Sequence, residues 1–511
     1  MDKKTSDTSQ REMRNEQALS TDHLSDDLVS RTAKGGVIGA VSQGMRMVVG
    51  MVTMAILARV LTPYDFGLVA LATISTGAIA LFADLGLSMA TVQKRSLRQE
   101  TVSTLFFVTL GVSVLAMAVL VLLSPFIAWI FNEPSVAPVI IAIAIQIPII
   151  GASRQHTALL QRGMYWTSLE MISLASQGVA AVITVFLAIW SDLGYWVLVV
   201  QIWVAAGISL ALTWRVCKWR PDLIFRWSAA RDSIHFGTHI TLFQFLNFFH
   251  RQSDDMLIGW RWGASDLGFY NRAYALLLAP IQLIQGPVTA AVIPGLSRLH
   301  GDSEAWSGLY VSTLKVVVTV AAPLSFMLIL AAPELILIMF GPGWERSIGI
   351  FQILSICMIA QPVMSSTGWL WISADKTRKM LNWALCSIPV MVLAMVVCLP
   401  YGAEGVAVGY ALSFLILTPL STAYAASHLP ISFWHVYRSI GPILGLAIVA
   451  FLLIAYGPMI SGGAVFPSGL WGMVIKLFGY LFLYVVGILC LEPAMLIGPG
   501  RAVIARLKKD H

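Results

Sequence analysis

Four residues in the first long apolar run, Gln43, Arg46, Gly50 and Thr53, are spaced three, four and three apart, which places them on one face of an α-helix. An Arg deep in a membrane span costs about 2.5 to 3.5 kcal/mol on insertion scales. Arg46 therefore needs a wet cavity, an anion, or hydrogen bonds from a neighbouring helix, and its sequence position alone does not choose among them. At an offset of 201 residues a second stripe follows, Gln244, Asn247, Arg251 and Asp254, with His239, His250 and Asp255 beside it. Arg251 and Asp254 lie within one turn, so they either face a ligand or neutralise each other. A third row, Asn271, Gln282, Gln285 and Thr289, with Arg272 near its outer end, either bonds helices together or lines a path. Gln43, Arg46, Gln244, Asn247, Arg251, Arg272, Gln282 and Gln285 form the candidate binding set. Asp84, Asp254 and Asp255 are the carboxylates placed to take up a coupling proton or sodium ion. Bond-making chemistry is not indicated: H-E-x-x-H, G-x-x-x-x-G-K-[ST] and G-x-S-x-G are all missing, and no loop is long enough for a catalytic domain.

The elements that hold these residues follow from hydropathy. A chain of 511 residues with 58% hydrophobic, 12% charged and mean hydropathy +0.79 carries about half the charge of a soluble protein. A helix crosses a hydrocarbon core with roughly 20 apolar residues. Runs of that length predict an all-α membrane protein with fourteen spans, near 36 to 58, 66 to 90, 104 to 129, 137 to 160, 171 to 190, 195 to 216, 235 to 260, 268 to 295, 312 to 338, 349 to 373, 382 to 400, 404 to 426, 440 to 460 and 471 to 492. Every second loop is basic: Lys94, Arg95 and Arg98 in one, Arg215, Lys218, Arg220, Arg226 and Arg231 in another, Lys376, Arg378 and Lys379 in a third. Because Lys and Arg are retained inside during insertion, both termini are expected in the cytoplasm. The net charge of +7 is then accounted for by topology and anionic lipid, without nucleic acid. Residues 1–34 read as a disordered cytoplasmic tail with no cleavable signal, and 498–511 as a basic cytoplasmic tail. The five cysteines show no C-x-x-C spacing and no His clustering, so they read as packing residues, with no disulfide framework, metal or cofactor expected.

The offset of 201 also aligns Asp65-Phe66-Gly67-Leu68 with Asp266-Leu267-Gly268-Phe269, each opening a span. Corresponding spans lie six apart, so both copies start on the same side of the membrane and the repeat is parallel. This predicts two six-helix lobes, an N-lobe over 35–220 and a C-lobe over 221–430, an arrangement suited to alternating access. Spans 13 and 14, within 431–497, have no counterpart and read as an addition.

Leu57-Ala58-Arg59-Val60-Leu61-Thr62-Pro63-Tyr64-Asp65-Phe66-Gly67, Asp84-Leu85-Gly86-Leu87-Ser88, Val92-Gln93-Lys94-Arg95, Leu267-Gly268-Phe269-Tyr270-Asn271-Arg272-Ala273-Tyr274, Pro294-Gly295-Leu296-Ser297-Arg298-Leu299 and Ala332-Pro333-Glu334-Leu335 together resemble the Wzx-type polysaccharide transporters, in particular the WzxC-like branch. The resemblance runs over roughly residues 35 to 350. It implies membership of the multidrug/oligosaccharidyl-lipid/polysaccharide (MOP) superfamily, a V-shaped two-lobe fold, and a bacterial inner-membrane location. The implied work is flipping a polyprenyl-diphosphate-linked oligosaccharide from the inner to the outer leaflet for exopolysaccharide or O-antigen assembly. Other polysaccharide assembly proteins are implied as partners, and basic residues such as Arg46 and Arg251 as contacts to the diphosphate. Two other functions compete. An ion-coupled drug or metabolite antiporter would favour a carboxylate-lined interior, whereas the deepest charge here is Arg46. A polysaccharide polymerase or ligase would need a large external catalytic loop, which this sequence lacks.

Overall fold

The computed structural model describes residues 15, 19, 28–94, 97–299, 301–460 and 469–491; the expected basic tail at 498–511 and most of the expected tail at 1–34 lie outside them. Among the described residues every regular element is helical. In chain order these are α1 (Leu28–Ala58), α2 (Pro63–Asp84), α3 (Leu87–Gln93), α4 (Gln99–Ile130), α5 (Val136–Ala144), α6 (Gln146–Arg162), α7 (Trp166–Trp190), α8 (Trp196–Val216) and α9 (Trp227–Arg298). They continue with α10 (Ser303–Phe340), α11 (Arg346–Ser355), α12 (Cys357–Ser373), α13 (Thr377–Cys398), α14 (Gly402–Ala426), α15 (Phe433–Ile460) and α16 (Leu470–Leu491). The chain divides into two compact units, Met1–Asn271 and Arg272–His511.

An all-helical membrane architecture is what the hydropathy predicts, but the count of fourteen is not confirmed. Ten stretches among the described residues are long and apolar enough to cross a bilayer, or eleven if α11 and α12, bent by 40° at their junction, form one broken span. The difference has physical causes. α13 and α14 fall within one continuous stretch, Thr377–Ala426, and α9 is diluted by Arg251, Asp254, Asp255, Arg261, Asp266 and Arg272. α9 is also not one rod. Gly263 has φ 80°, ψ −173°, a left-handed backbone that favours glycine. The chain doubles back there, because Tyr270 Oη donates to Asp254 Oδ2 over 2.8 Å, although sixteen residues of straight helix would separate them by about 24 Å.

In the first unit α4 packs on α2, α5 and α6, α8 packs on α6 and α7, and α1 lies along α7. Buried Leu68, Leu71, Val102, Leu105, Val139 and Ile143 fill the centre. α2 starts where the sequence says it must. Thr62 is its N-cap and Pro63 its first residue, and a capping box closes the turn: Thr62 N donates to Asp65 Oδ2 over 2.8 Å and Asp65 N to Thr62 Oγ1 over 3.4 Å. The motif aligned in the internal repeat is therefore first a helix-start signal.

Its glycine has a second use. A Cβ on Gly67 would stand 1.7 Å from the Ala264 carbonyl oxygen, and a Cβ on Gly268 would stand 1.8 Å from that of Pro63. Residues 67 and 268 are 201 apart, as are 63 and 264. The contact is thus reciprocal, the signature of a local two-fold relation between repeat copies, and it brings two helix starts together at backbone distance.

Near the loops joining α6 to α7 and α8 to α9, an aromatic cluster closes the unit. His156 stacks on Trp214 with ring centroids 4.4 Å apart, and Phe106 and Trp219 meet it edge-on. Cys217 is buried there as the packing residue expected, and burial pushes its thiol pKa up. Part of the segment expected to be a disordered tail is ordered. Helix α1 already begins at Leu28. Asn15 Nδ2 donates to the Arg220 carbonyl over 3.2 Å and Asn15 Oδ1 accepts from Arg220 N over 2.9 Å, while Leu19 is buried in the cluster with Val102, Phe106, Leu159 and Trp219.

In the second unit α10 packs on α11, α12, α15 and α16, and α14 packs on α12 and α13. The two helices without a counterpart in the repeat are built into this unit's core rather than attached outside it: Tyr484 Oη donates to the Thr319 carbonyl over 3.0 Å, and Phe326 meets Phe451 at a centroid distance of 4.9 Å.

Candidate functional site

The α1 stripe divides along its length. Gln43 is exposed, Arg46 is half-buried, Gly50 is exposed, and Thr53 is buried with its hydroxyl bonded to the Val49 carbonyl at 2.7 Å. Arg46 is the centre of this group. Its Nη1 forms an ion pair with Glu170 Oε2 on α7, and its Nη2 donates to Gln43 Oε1 over 2.8 Å. The hydrogen-bonded neighbour helix, one of the readings the sequence left open for Arg46, is therefore present. Sequence reasoning missed Glu170 because the span was drawn to begin at 171, immediately after a charge. The available signal was a polar row on α7, Glu170, Ser173 and Gln177, spaced three and four apart as on α1.

On α9, Gln244, Asn247 and Arg251 are exposed, whereas Asp254 and Asp255 are buried. Mutual neutralisation within one turn is not what Asp254 uses, since its hydrogen-bond donor is Tyr270 across the Gly263 corner. Asp255 Oδ2 accepts from Asn271 Nδ2 over 3.4 Å. The third row also spreads out: Asn271, Arg272 and Gln285 are half-buried, Gln282 is exposed, and Thr289 accepts from Trp369 Nε1 over 3.1 Å, a helix-to-helix bond. Asp84, at the end of α2, accepts from Ser88 Oγ at 2.5 Å. It lines a pocket of about 50 Å³ with Ser113, Gln146, Gly151 and Arg154, large enough for one or two waters.

The second unit also holds a groove that the sequence gives no direct sign of. A groove of about 1170 Å³ runs between α10, α11, α12, α14, α15 and α16, walled by Phe326, Ile329, Ile356, Leu444, Ile448 and Phe451. Among the described residues Lys476 of α16 is the one charged side chain lining it. A lone Lys inside an apolar run was the sequence signal available.

Comparison with known proteins bears on what these parts serve. The family model described as polysaccharide biosynthesis protein matches residues 56–349. The lipopolysaccharide biosynthesis protein WzxC of Escherichia coli strain K12 is 21% identical over 451 residues, covering 88% of this chain and 89% of that protein. The succinoglycan biosynthesis transport protein ExoT of Rhizobium meliloti strain 1021 is 27% identical over 306 residues, covering 60% of this chain and 62% of that protein. Among solved structures, the lipid II flippase MurJ in its inward closed conformation superposes with TM-score 0.70 at 10% identity, over 90% of this chain and 100% of that one. An inward-facing multidrug resistance MATE family transporter of the MOP superfamily superposes with TM-score 0.58 at 14% identity, over 79% of this chain and 99% of that one. At such identities the structural likeness shows a common fold.

Proposed function

The chain belongs to the polysaccharide biosynthesis protein family, and from that premise we propose that it carries a polyprenyl-diphosphate-linked oligosaccharide from the inner to the outer leaflet of the bacterial inner membrane. It is a multi-pass membrane transport protein of the MOP superfamily, and on this reading it works by alternating access, without bond-making chemistry. Relatives named for lipopolysaccharide biosynthesis and for succinoglycan transport support a saccharide cargo, and a structural neighbour named as a lipid II flippase supports a lipid-linked one.

The observation that carries this reading is the groove in the second unit. Its walls are mainly apolar, with Gln352 and Tyr456 among them, and among the described residues it presents one ammonium, Lys476, which matches an amphiphile with a long hydrocarbon tail and an anionic head. The proposed occupant is the polyprenyl tail. Filling the groove with Leu444→Trp or Ile448→Trp should lower saccharide export about tenfold, the equivalent of 1.4 kcal/mol of lost tail binding, at unchanged protein abundance. Export at the wild-type rate from either variant would count against the tail assignment.

Both termini are proposed to be cytoplasmic, with the loops near Asp192 and Gly402 outside. Single cysteines placed at 192 and 402 in a background without native cysteines should react with an impermeant thiol reagent in intact cells. A cysteine at 220 should not, and its external labelling would reverse the topology.

A further inference from the structure

We propose that Glu170 is a displaceable counter-ion for Arg46: it holds the guanidinium between transport events, yields it to the phosphate of the incoming lipid head group, and promotes release by re-forming the pair. This rests on the reading of Arg46 as a phosphate contact.

The geometry of the pair supplies the argument. A guanidinium binds phosphate best when two of its nitrogens meet two oxygens in parallel. In this structure Glu170 Oε2 sits on Nη1 and Gln43 Oε1 on Nη2. The protein's own acceptors thus occupy the places that two phosphate oxygens would take, and one of them carries the negative charge an anion would bring. A phosphate that takes the end-on Nη1 and Nη2 fork has to replace these two acceptors. Replacement is feasible because neither partner is sealed, the side chains of Arg46 and Glu170 being 16% and 22% exposed.

Arg46 also has to reach for its partner. A Cβ on Gly35 would press on the Trp166 ring, and one on Gly39 would lie 4.0 Å from Glu170 Oε1, so Glu170 stands level with Gly39. Arg46 is seven residues further along α1, about 10 Å of helix rise, and its side chain closes that distance by leaning back toward the helix start. Loss of the Glu170 contact frees the guanidinium to swing along α1. Within the first unit, α7 is the helix on which α1 chiefly packs, so this exchange does not break a core. Further along the same face of α7, Gln177 Nε2 donates to Ser173 Oγ over 3.4 Å, a neutral polar strip beside the path of the swing.

A residue that only braced the helices would, when altered, weaken binding or reduce abundance. A competing counter-ion has the opposite signature: its removal tightens anion binding while slowing release. Farnesyl diphosphate binding to the purified full chain, measured by calorimetry, should be roughly two- to fivefold tighter for Glu170→Gln than for wild type, the scale of one partly exposed ion pair. Saccharide export in cells should fall in the same variant. Glu170→Asp, whose carboxylate is one methylene further from Arg46, should tighten binding to an intermediate degree, which provides the same test if Glu170→Gln fails to accumulate. Arg46→Ala is the control and should bind most weakly. If the Glu170 variants bind no more tightly than wild type while Arg46→Ala loses binding, the counter-ion role is refuted and the Arg46 reading stands. If Arg46→Ala binds as well as wild type, the phosphate contact itself is refuted, and this inference with it.

Discussion

Alanine at Gly67 or at Gly268 is expected to abolish transport and to deplete folded protein from the membrane. Each new methyl would be placed within 2 Å of a backbone carbonyl oxygen, that of Ala264 or that of Pro63. Overpacking against side chains typically costs 1 to 3 kcal/mol because rotamers give way. Here the obstacle is the first turn of a helix, pinned by the Thr62 capping box on one side and by the Gly263 corner on the other, so a cost of about 3 kcal/mol or more is expected from the same principle. The two substitutions should behave alike, because each glycine meets the repeat equivalent of the residue the other meets. Gly36→Ala and Gly207→Ala, where a Cβ would meet nothing within 4 Å, should leave protein level and melting temperature unchanged. Near-normal abundance and melting for Gly67→Ala and Gly268→Ala would show that the helix starts are not held at this distance.

Arg46→Ala carries the second large effect. With Glu170 as its ion-pair partner, removal of the guanidinium takes away the proposed phosphate contact and leaves a carboxylate without compensation, a change that costs more than the pair is worth. Export should be lost, with some loss of protein as well. Arg46→Lys should keep part of the activity, since charge survives without the two-pronged geometry. The double change Arg46→Ala with Glu170→Gln separates the two contributions: it should return protein level toward wild type without returning export. Export recovered by the double variant would mean that Arg46 serves only to balance Glu170.

The sequence made the membrane class and the repeat legible for the same reason, namely that hydropathy and helix-start chemistry are local properties. Thr62, Pro63 and Asp65 announce α2 within four residues. The consequence of the repeat was not legible, because nothing in Gly67 or Gly268 alone says that each lies against the other copy. Glu170 was not legible because it borders the apolar run of α7, where a charge reads as the edge of a span and not as the partner of an Arg on another helix. Asp254 misled in the opposite direction, since Arg251 one turn away is an obvious local partner, whereas a hairpin at Gly263 delivers Tyr270 from sixteen residues on. Asn15 and Leu19, in a polar stretch with no periodic apolar face, gave no sign that they would be buried against Arg220 and Trp219. The groove beside Lys476 required six helices to be placed before it existed at all.

The central claim, that this chain moves a lipid-linked oligosaccharide across the membrane, is tested most directly by reconstitution. The purified protein would be placed in vesicles whose inner leaflet alone carries a polyprenyl-diphosphate oligosaccharide, and an external glycosidase would report how much becomes accessible with time. The account predicts that accessible saccharide rises steadily with wild-type protein and stays at the level of protein-free vesicles with Arg46→Ala. Accessibility with wild-type protein no greater than in protein-free vesicles, across saccharides taken from the cells that make this chain, would contradict it.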